Sequence, residues 1–170
     1  MQIKTRILVF SDSHGDNNGI IKAIQMHHAT AQYVFFCGDG AAEFEQLQYI
    51  FPNIAFVGVR GNCDWSCQLC DEETRVINGI KVICLHGHTC NVKYGTAMLA
   101  AKTRKEQATI AFYGHTHIAE VQTLQAEADQ TAITLINPGA ASGYKATYAI
   151  VDLLQDGTFV ANIATMPERL

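Results

Sequence analysis

Seven side chains able to hold a metal ion stand in the same kind of place along this chain, just after a short apolar run. Asp12 and His14 follow residues 7–10, Asp39 follows residues 33–37 and Gly38, and Asn62 follows residues 54–59. His86 follows residues 82–85, and His115 and His117 follow residues 110–113. An apolar run of this length, cut off by glycine or a polar residue, reads as a buried strand. Five strand ends that each deliver a carboxylate, amide or imidazole point to a two-metal site, with Asp39 between the ions.

The chemistry of such a site is hydrolytic. Paired ions about 3.5–4 Å apart, usually bridged by a carboxylate, can activate one water between them. Asp12 and His14 are two apart in extended chain and face the same side. With His117 they could hold a first ion; Asn62, His86 and His115 could hold a second, with Asp39 as the bridge. The imidazoles of His115 and His117 can diverge to separate ions if the backbone turns between them, and Gly15 and Gly114 are expected to allow close backbone approach. Asn62 is neutral and would leave its ion electron-poor, able to polarise a phosphoryl oxygen. Mixed nitrogen and oxygen ligation suits manganese, iron, zinc or cobalt better than calcium or magnesium and does not choose among them; the expected cofactor is two divalent metal ions, manganese first, with iron, zinc, nickel or cobalt as alternatives.

These residues need a scaffold that brings strand ends together. Residues 17–28 read as a helix with Ile20, Ile21 and Ile24 on one face, and residues 41–49 as a second. With the runs at 7–10, 33–37 and 54–59 this makes a β-α-β-α-β order, which favours parallel strands and right-handed crossovers. Asn78-Gly79, between residues 74–77 and 81–85, is a two-residue hairpin turn. Residues 94–107 predict a third helix. Segments 121–126, 133–136, 147–153 and 159–165 read as antiparallel strands, with a turn at Gln155-Asp156-Gly157 and a tight loop at residues 137–143. His27 and His28 lie on the first helix, away from any strand end, and are read as surface or packing residues. The expected architecture is one α/β domain over residues 1–170, a two-sheet β-sandwich flanked by helices, with the metal site at the C-terminal ends of the strands.

Composition narrows the field. With 48% hydrophobic and 16% charged residues in 170, the chain is globular and long enough to bury a core. No apolar run approaches the roughly 18 residues of a membrane span, and the polar N-terminus does not resemble a secretory signal, so the expectation is a cytoplasmic protein without a membrane partner. A net charge of −4 with no Lys/Arg cluster argues against a long nucleic-acid groove, and leaves a small phosphoester as substrate. Of six cysteines, Cys37 and Cys84 fall inside apolar runs and read as small buried hydrophobes. Cys67 and Cys70 form a C-x-x-C with no partner pair, which reads as reduced thiols on a loop rather than a zinc site.

Asp12-x-His14, Gly38-Asp39, Gly61-Asn62-Cys63-Asp64, His86 and Gly114-His115-Thr116-His117 together resemble, in order and spacing, the calcineurin-like metallophosphoesterases. The short length and the Gly-Asn-Cys-Asp form are similar to the small, YfcE-like bacterial and archaeal phosphodiesterase branch. The resemblance implies a helix-flanked β-sandwich and phosphoester hydrolysis, with Asp39, Asn62, Cys63 and His88 as the catalytic candidates beside the ligands. Many relatives have histidine where Cys63 stands, a residue thought to stabilise the transition state or protonate the leaving group. A thiol is a poor substitute near neutral pH, which favours diesters with good leaving groups; His88 is the candidate replacement donor. Relatives often place serine where this chain has Ala140. The implied function is metal-dependent hydrolysis of a small phosphodiester. The same site would also serve a phosphomonoesterase or a nucleotide pyrophosphohydrolase, and the fold also serves the retromer scaffold subunit, a protein-binding module. A homo-oligomer is consistent with the family, and Trp65 and Leu69 are candidates for its contact.

Overall fold

The apolar runs are continuous because their strands are covered on both faces. The computed structural model describes residues 2–126 and 131–167. Its first sheet runs, in spatial order, β10 (Phe159–Thr165), β9 (Thr147–Leu154), β1 (Ile3–Phe10), β2 (Ala31–Phe36) and β3 (Ala55–Gly58). The second runs β4 (Glu72–Ile77), β5 (Ile80–Leu85), β6 (Ile110–Phe112), β8 (Ile133–Asn137) and β7 (Glu120–Leu124). Alternate residues of β1 show how the layers form: Ile7 and Val9 enter one buried cluster with Phe35, Val57, Val82, Phe112 and Val151, contributed by both sheets. Leu8 and Phe10 point the other way, into a cluster with Ile20 and Ile24 of α1 (Asn18–His27) and Phe44 and Leu47 of α2 (Ala41–Ile50). On the far side, Ile83, Leu85 and Ala111 pack against Leu99 and Ala100 of α3 (Ala97–Lys105). The sheets therefore pack face to face with helices outside, and each fully buried aliphatic or aromatic side chain contributes about 1.5–3 kcal/mol.

Strand direction is what builds the site. β1, β2 and β3 are mutually parallel, and so are β5, β6 and β8. In open α/β sheets, sites form outside the carboxyl ends of parallel strands. Here those ends lead into Asp12, Asp39, Asn62, His86, His115 and Asn137.

Two expectations are corrected. Strand β8 is antiparallel only to β7 and runs parallel to β6, which is why it ends at the site. The third helix starts at Ala97 rather than residue 94. Val92–Tyr94 is a separate 3₁₀ turn, and Gly95, at φ 134°, cannot continue a helix. The Asn78-Gly79 hairpin forms as read: φ is 52° and 85°, and Ile77 pairs with Ile80.

Candidate metal centre

The loops after the parallel strands turn back sharply, and the residues with metal-binding side chains take the turns. Asp12, His14, Asp39, His115 and His117 all have positive φ, from 45° to 69°. Each such residue costs on the order of 1–3 kcal/mol unless its surroundings hold it there. The holding contacts are backbone bonds between loops: Asp12 N–H donates to the Gly38 carbonyl at 2.9 Å, His14 N–H to Asp39 at 3.2 Å and Gly114 N–H to His86 at 3.0 Å. Close approach is needed at several glycines of these loops, Gly61 and Gly114 among them. A Cβ on Gly61 would lie 2.0 Å from Asp39 Oδ1, and one on Gly114 would lie 1.9 Å from Ser11 Oγ. Gly15, expected to serve the same purpose, has open space to 3.8 Å; its φ of +92° is the reason for glycine there.

Around Asp12 the structure gathers His14 and His117. Asp12 Oδ1 lies 3.1 Å from His117 Nε2 and 3.8 Å from His14 Nε2, and the two imidazole nitrogens are 3.3 Å apart. The other oxygen, Oδ2, accepts from Ser11 Oγ at 2.6 Å and from the His115 backbone N–H at 3.1 Å. Oδ1 itself is buried and receives no well-aligned hydrogen bond. A buried carboxylate oxygen without a donor is costly, and facing a fan of imidazole nitrogens it fits a cation.

Around His86 the arrangement is tighter. His86 is buried, and its Nδ1 lies 2.6 Å from the Cys37 carbonyl, which makes Nδ1 the N–H donor and leaves the Nε2 lone pair free. That Nε2 faces Asn62 Oδ1 at 3.1 Å and Asp39 Oδ2 at 3.4 Å. Three acceptors converging on one point call for positive charge between them. Without a cation a proton serves: burial opposes protonation of His86, but Asp39 and Asp12 outweigh it and raise its pKa. Asp39 in turn is held well below the usual carboxylate range, against its burial, by His86 and the Cys63 backbone N–H at 2.8 Å. The His115 ring stands 5.0 Å from that of His86 and is pushed down to about 4 by burial, then by the charges of His86 and Lys93. It is a neutral imidazole with a lone pair to offer. Thus His115 and His117 do diverge, one beside His86 and one beside Asp12. Asp39 groups both with Asp12 and His86 and with His14 and Cys63, its potential ligand atom within 4.8 Å of theirs.

The matched family model, the calcineurin-like phosphoesterase superfamily domain, covers residues 5–156. The chain belongs to this superfamily. It is 26% identical over 159 residues to the probable metallophosphoesterase YsnB of Bacillus subtilis, across 91% of this chain and 88% of that one. A "predicted phosphoesterase" from Streptococcus pneumoniae superposes with a TM-score of 0.79 at 25% identity, over 97% of this chain and 91% of its own. Vacuolar protein sorting 29 of Cryptosporidium parvum shares the fold, with a TM-score of 0.73 at 15% identity, over 98% of this chain and 100% of its own. The family binds divalent metals, and the donor set in this phosphoesterase fits them.

The remaining candidates of the phosphoesterase lie at the rim. Cys63 is exposed, with its thiol 3.3 Å from Asn62 Nδ2 and its pKa raised by Asp39 and by burial, so it is a neutral thiol at neutral pH. The His88 ring is 5.4 Å from His86 and 6.1 Å from His115, and its Nδ1 is buried without a partner. Arg60 pairs with Asp71 at 2.6 Å, on the surface. His27 lies between Arg6 and the Tyr148 hydroxyl and is no part of the site. Leu69 packs against the α1–α2 core and is committed to the chain's own interior, while Trp65 is 89% exposed.

Three supports carry more than their sequence signal suggested. Asp64 accepts four backbone N–H bonds, from Asp39, Gly40, Ala41 and Gly61, at 2.8–3.0 Å. It ties the Asn62 loop to the Asp39 loop and, among the described residues, bonds to none of the candidate ligand histidines. Buried Asn137 donates to the Gly114 carbonyl and to Thr116 Oγ1 and accepts from Gly139 N–H, holding the turn that carries His115 and His117. Ser142, two residues after Ala140, donates to the Asp12 carbonyl at 3.0 Å. The Asn-Pro-Gly sequence marked a turn, and nothing in it said that the turn grips the histidine loop.

Proposed function

We propose that this phosphoesterase is a metal-dependent phosphodiesterase acting on a small phosphodiester, with two divalent ions, manganese first, held by Asp12, His14, Asp39, Asn62, His86, His115 and His117. The observation that carries the reading is the pairing of the orphaned Asp12 Oδ1 with the acceptor-facing His86 Nε2, with Asp39 within reach of both. Bound there, divalent cations would supply the positive charge that polarises a phosphoryl oxygen and acidifies water. The chain's own groups do the rest. Asp39 and Asp12 set the charge of the two positions, and Asn62 adds an oxygen without adding charge. Backbone ties through Asp64 and Asn137 fix the geometry, and His88 stands beside His86 and His115 to meet the departing alcohol, with burial and then the charge of His86 lowering its pKa and so its hold on a proton. The neutral Cys63 thiol supplies no strong acid. This favours esters whose alcohol leaves without help, and so diesters of acidic alcohols over monoesters.

The fold alone does not decide for catalysis; function is argued from the site. The test is to strip the protein with chelator, restore Mn²⁺, and compare bis-p-nitrophenyl phosphate with p-nitrophenyl phosphate. Metal-dependent cleavage of the diester, lost in Asp39→Asn, is expected. Preference for the monoester would make the enzyme a phosphatase, and no turnover with any divalent metal would shift the weight to a protein-binding role.

A further inference from the structure

The two sheets end in four edge strands, and one of them differs from the rest. Natural sheet edges are kept from pairing with other chains by shortness, charge or proline. β3 is four residues long. β4 carries Glu72, Glu73 and Arg75, and β7 carries Glu120. β10, at the outer end of the first sheet, runs for seven residues, Phe-Val-Ala-Asn-Ile-Ala-Thr, with neither charge nor proline. Among the described residues no strand pairs with its outer side. Val160 and Ile163, on opposite faces of the strand, are 43% and 37% exposed.

The hydrogen bonding of that outer side follows from the inner one. Leu154 N–H donates to the Thr158 carbonyl and Met166 N–H to the Ala146 carbonyl, each at 2.8 Å. Both pairs continue the register that joins β10 to β9. Bonded and unbonded pairs alternate along an antiparallel ladder. Between these two ends, therefore, Val160, Asn162 and Ala164 spend their backbone groups on β9. Phe159, Ala161, Ile163 and Thr165 turn theirs outward.

A second β10, running antiparallel about a two-fold axis at Asn162, meets this edge group for group. Ala161 then faces the partner's Ile163 and Phe159 the partner's Thr165, so the outward N–H and C=O groups of both strands pair. Val160 faces the partner's Ala164. Each large apolar side chain thus opposes a small one, and no like charges meet. Asn162 opposes its own copy, and an amide both donates and accepts, so the two can bond to each other. Moving the axis to Ala161 loses this match, setting Phe159 against Ile163 and Val160 against Asn162.

We propose that β10 is the contact of a two-fold dimer in which the five-stranded first sheets of two copies of this chain join into one continuous sheet. The occupant of the edge is a second copy because the strand is its own complement about Asn162. A two-fold contact of this kind also uses up both exposed edges and closes on itself.

The test reads both the association and its register. At the axis an unbonded antiparallel pair places its Cα atoms about 4.5 Å apart, within disulfide reach. Mild oxidation of Asn162→Cys should therefore link two chains, giving doubled mass on a non-reducing gel beyond what exposed Cys63 and Cys70 give in the wild type. Ile163→Cys should gain no such link, because the partner's residue 163 lies two positions along the facing strand. Sedimentation should give a dimer for the wild type and for the neutral Asn162→Thr, and a monomer for Asn162→Lys, which sets two cations against each other at the axis. A wild type that stays monomeric up to near-millimolar concentration would overturn the proposal. So would a dimer that survives Asn162→Lys, or an Asn162→Cys protein that cross-links no more than the wild type.

Discussion

Around Asp12 the buried group is the carboxylate, and the imidazoles that face it stand in solvent, His14 37% and His117 49% exposed. Around His86 the burial is reversed: the imidazole has no exposed surface, its Nδ1 is fixed by the Cys37 carbonyl, and exposed Asn62 reaches in from the rim. The first half of the site presents a fixed anion to adjustable rings. The second presents a fixed ring to an adjustable amide. Preorganised ligands lose less freedom on binding, so the His86 half should hold its ion more tightly and release it more slowly, while the Asp12 half should exchange first with chelator.

Asp39 belongs to both halves, so its removal makes the largest effect. Asp39→Asn keeps the shape and deletes the shared charge; kcat/KM for the aryl diester should fall about 10³-fold, the scale set by deleting a key electrostatic group. Metal analysis of the purified variant should find at most one ion per chain. A variant that kept two ions would mean that Asp39 does not join the halves.

The contrast itself is probed by His86→Ala against His14→Ala. In His86→Ala one ion should be lost outright, with activity down about 10²-fold or more even at high metal. In His14→Ala both ions should return at saturating Mn²⁺, with apparent affinity for one of them weakened about tenfold and kcat within a few fold. Isothermal titration of the stripped proteins would show the difference. Equal losses in the two variants would break the comparison.

Asp64→Ala comes next, because it acts on both halves without being a ligand. It would leave the N–H groups of Asp39, Gly40, Ala41 and Gly61 without their acceptor. A cost of about 3 kcal/mol is expected, lowering Tm by about 6–12 °C. Ligand positioning should suffer as well, with metal affinity down about 10–100-fold. Normal affinity in a destabilised protein would confine Asp64 to stability.

The two-sheet architecture, and the gathering of the candidate donors at one end of it, could be read from the chain because the residues able to hold a metal follow apolar runs, and strand ends are local signals. The direction of β8 was hidden. Residues 133–136 carry the same apolar character whether the neighbouring strand runs parallel or antiparallel, and only pairing with β6 decides. The split of His115 and His117 could be stated only as a condition, since it depends on φ values of 69° and 61° that histidine does not advertise. The supports were hardest to see. Asp64 and Asn137 act through backbone groups brought near by other strands, and a backbone N–H looks the same at every position in a sequence. Helix three was overextended because Gly95 looked tolerable inside an apolar pattern, whereas its φ of 134° ends any helix.

The smallest expected effect lies far from the metal centre and serves as a control on it. His27 sits at the end of α1, its Nε2 3.0 Å from the Tyr148 hydroxyl and its Nδ1 3.5 Å from the Arg6 guanidinium, which is itself bound to Asp152 at 2.7 and 2.8 Å. Burial, and then the charge of Arg6, lower its pKa. Unfolded, the same histidine titrates near about 6.5. Above that value it is neutral in both states and contributes no pH dependence. As pH falls below it, the unfolded chain takes up the proton first, so the folded state loses stability until the lowered folded pKa is passed. His27→Gln should therefore flatten the acid side of the Tm profile below about pH 6.5 relative to wild type, with no change in metal affinity. Titration at the site is common to both proteins and cancels in the comparison. An identical acid slope would mean that burial and the charge of Arg6 do not disfavour the charged imidazole.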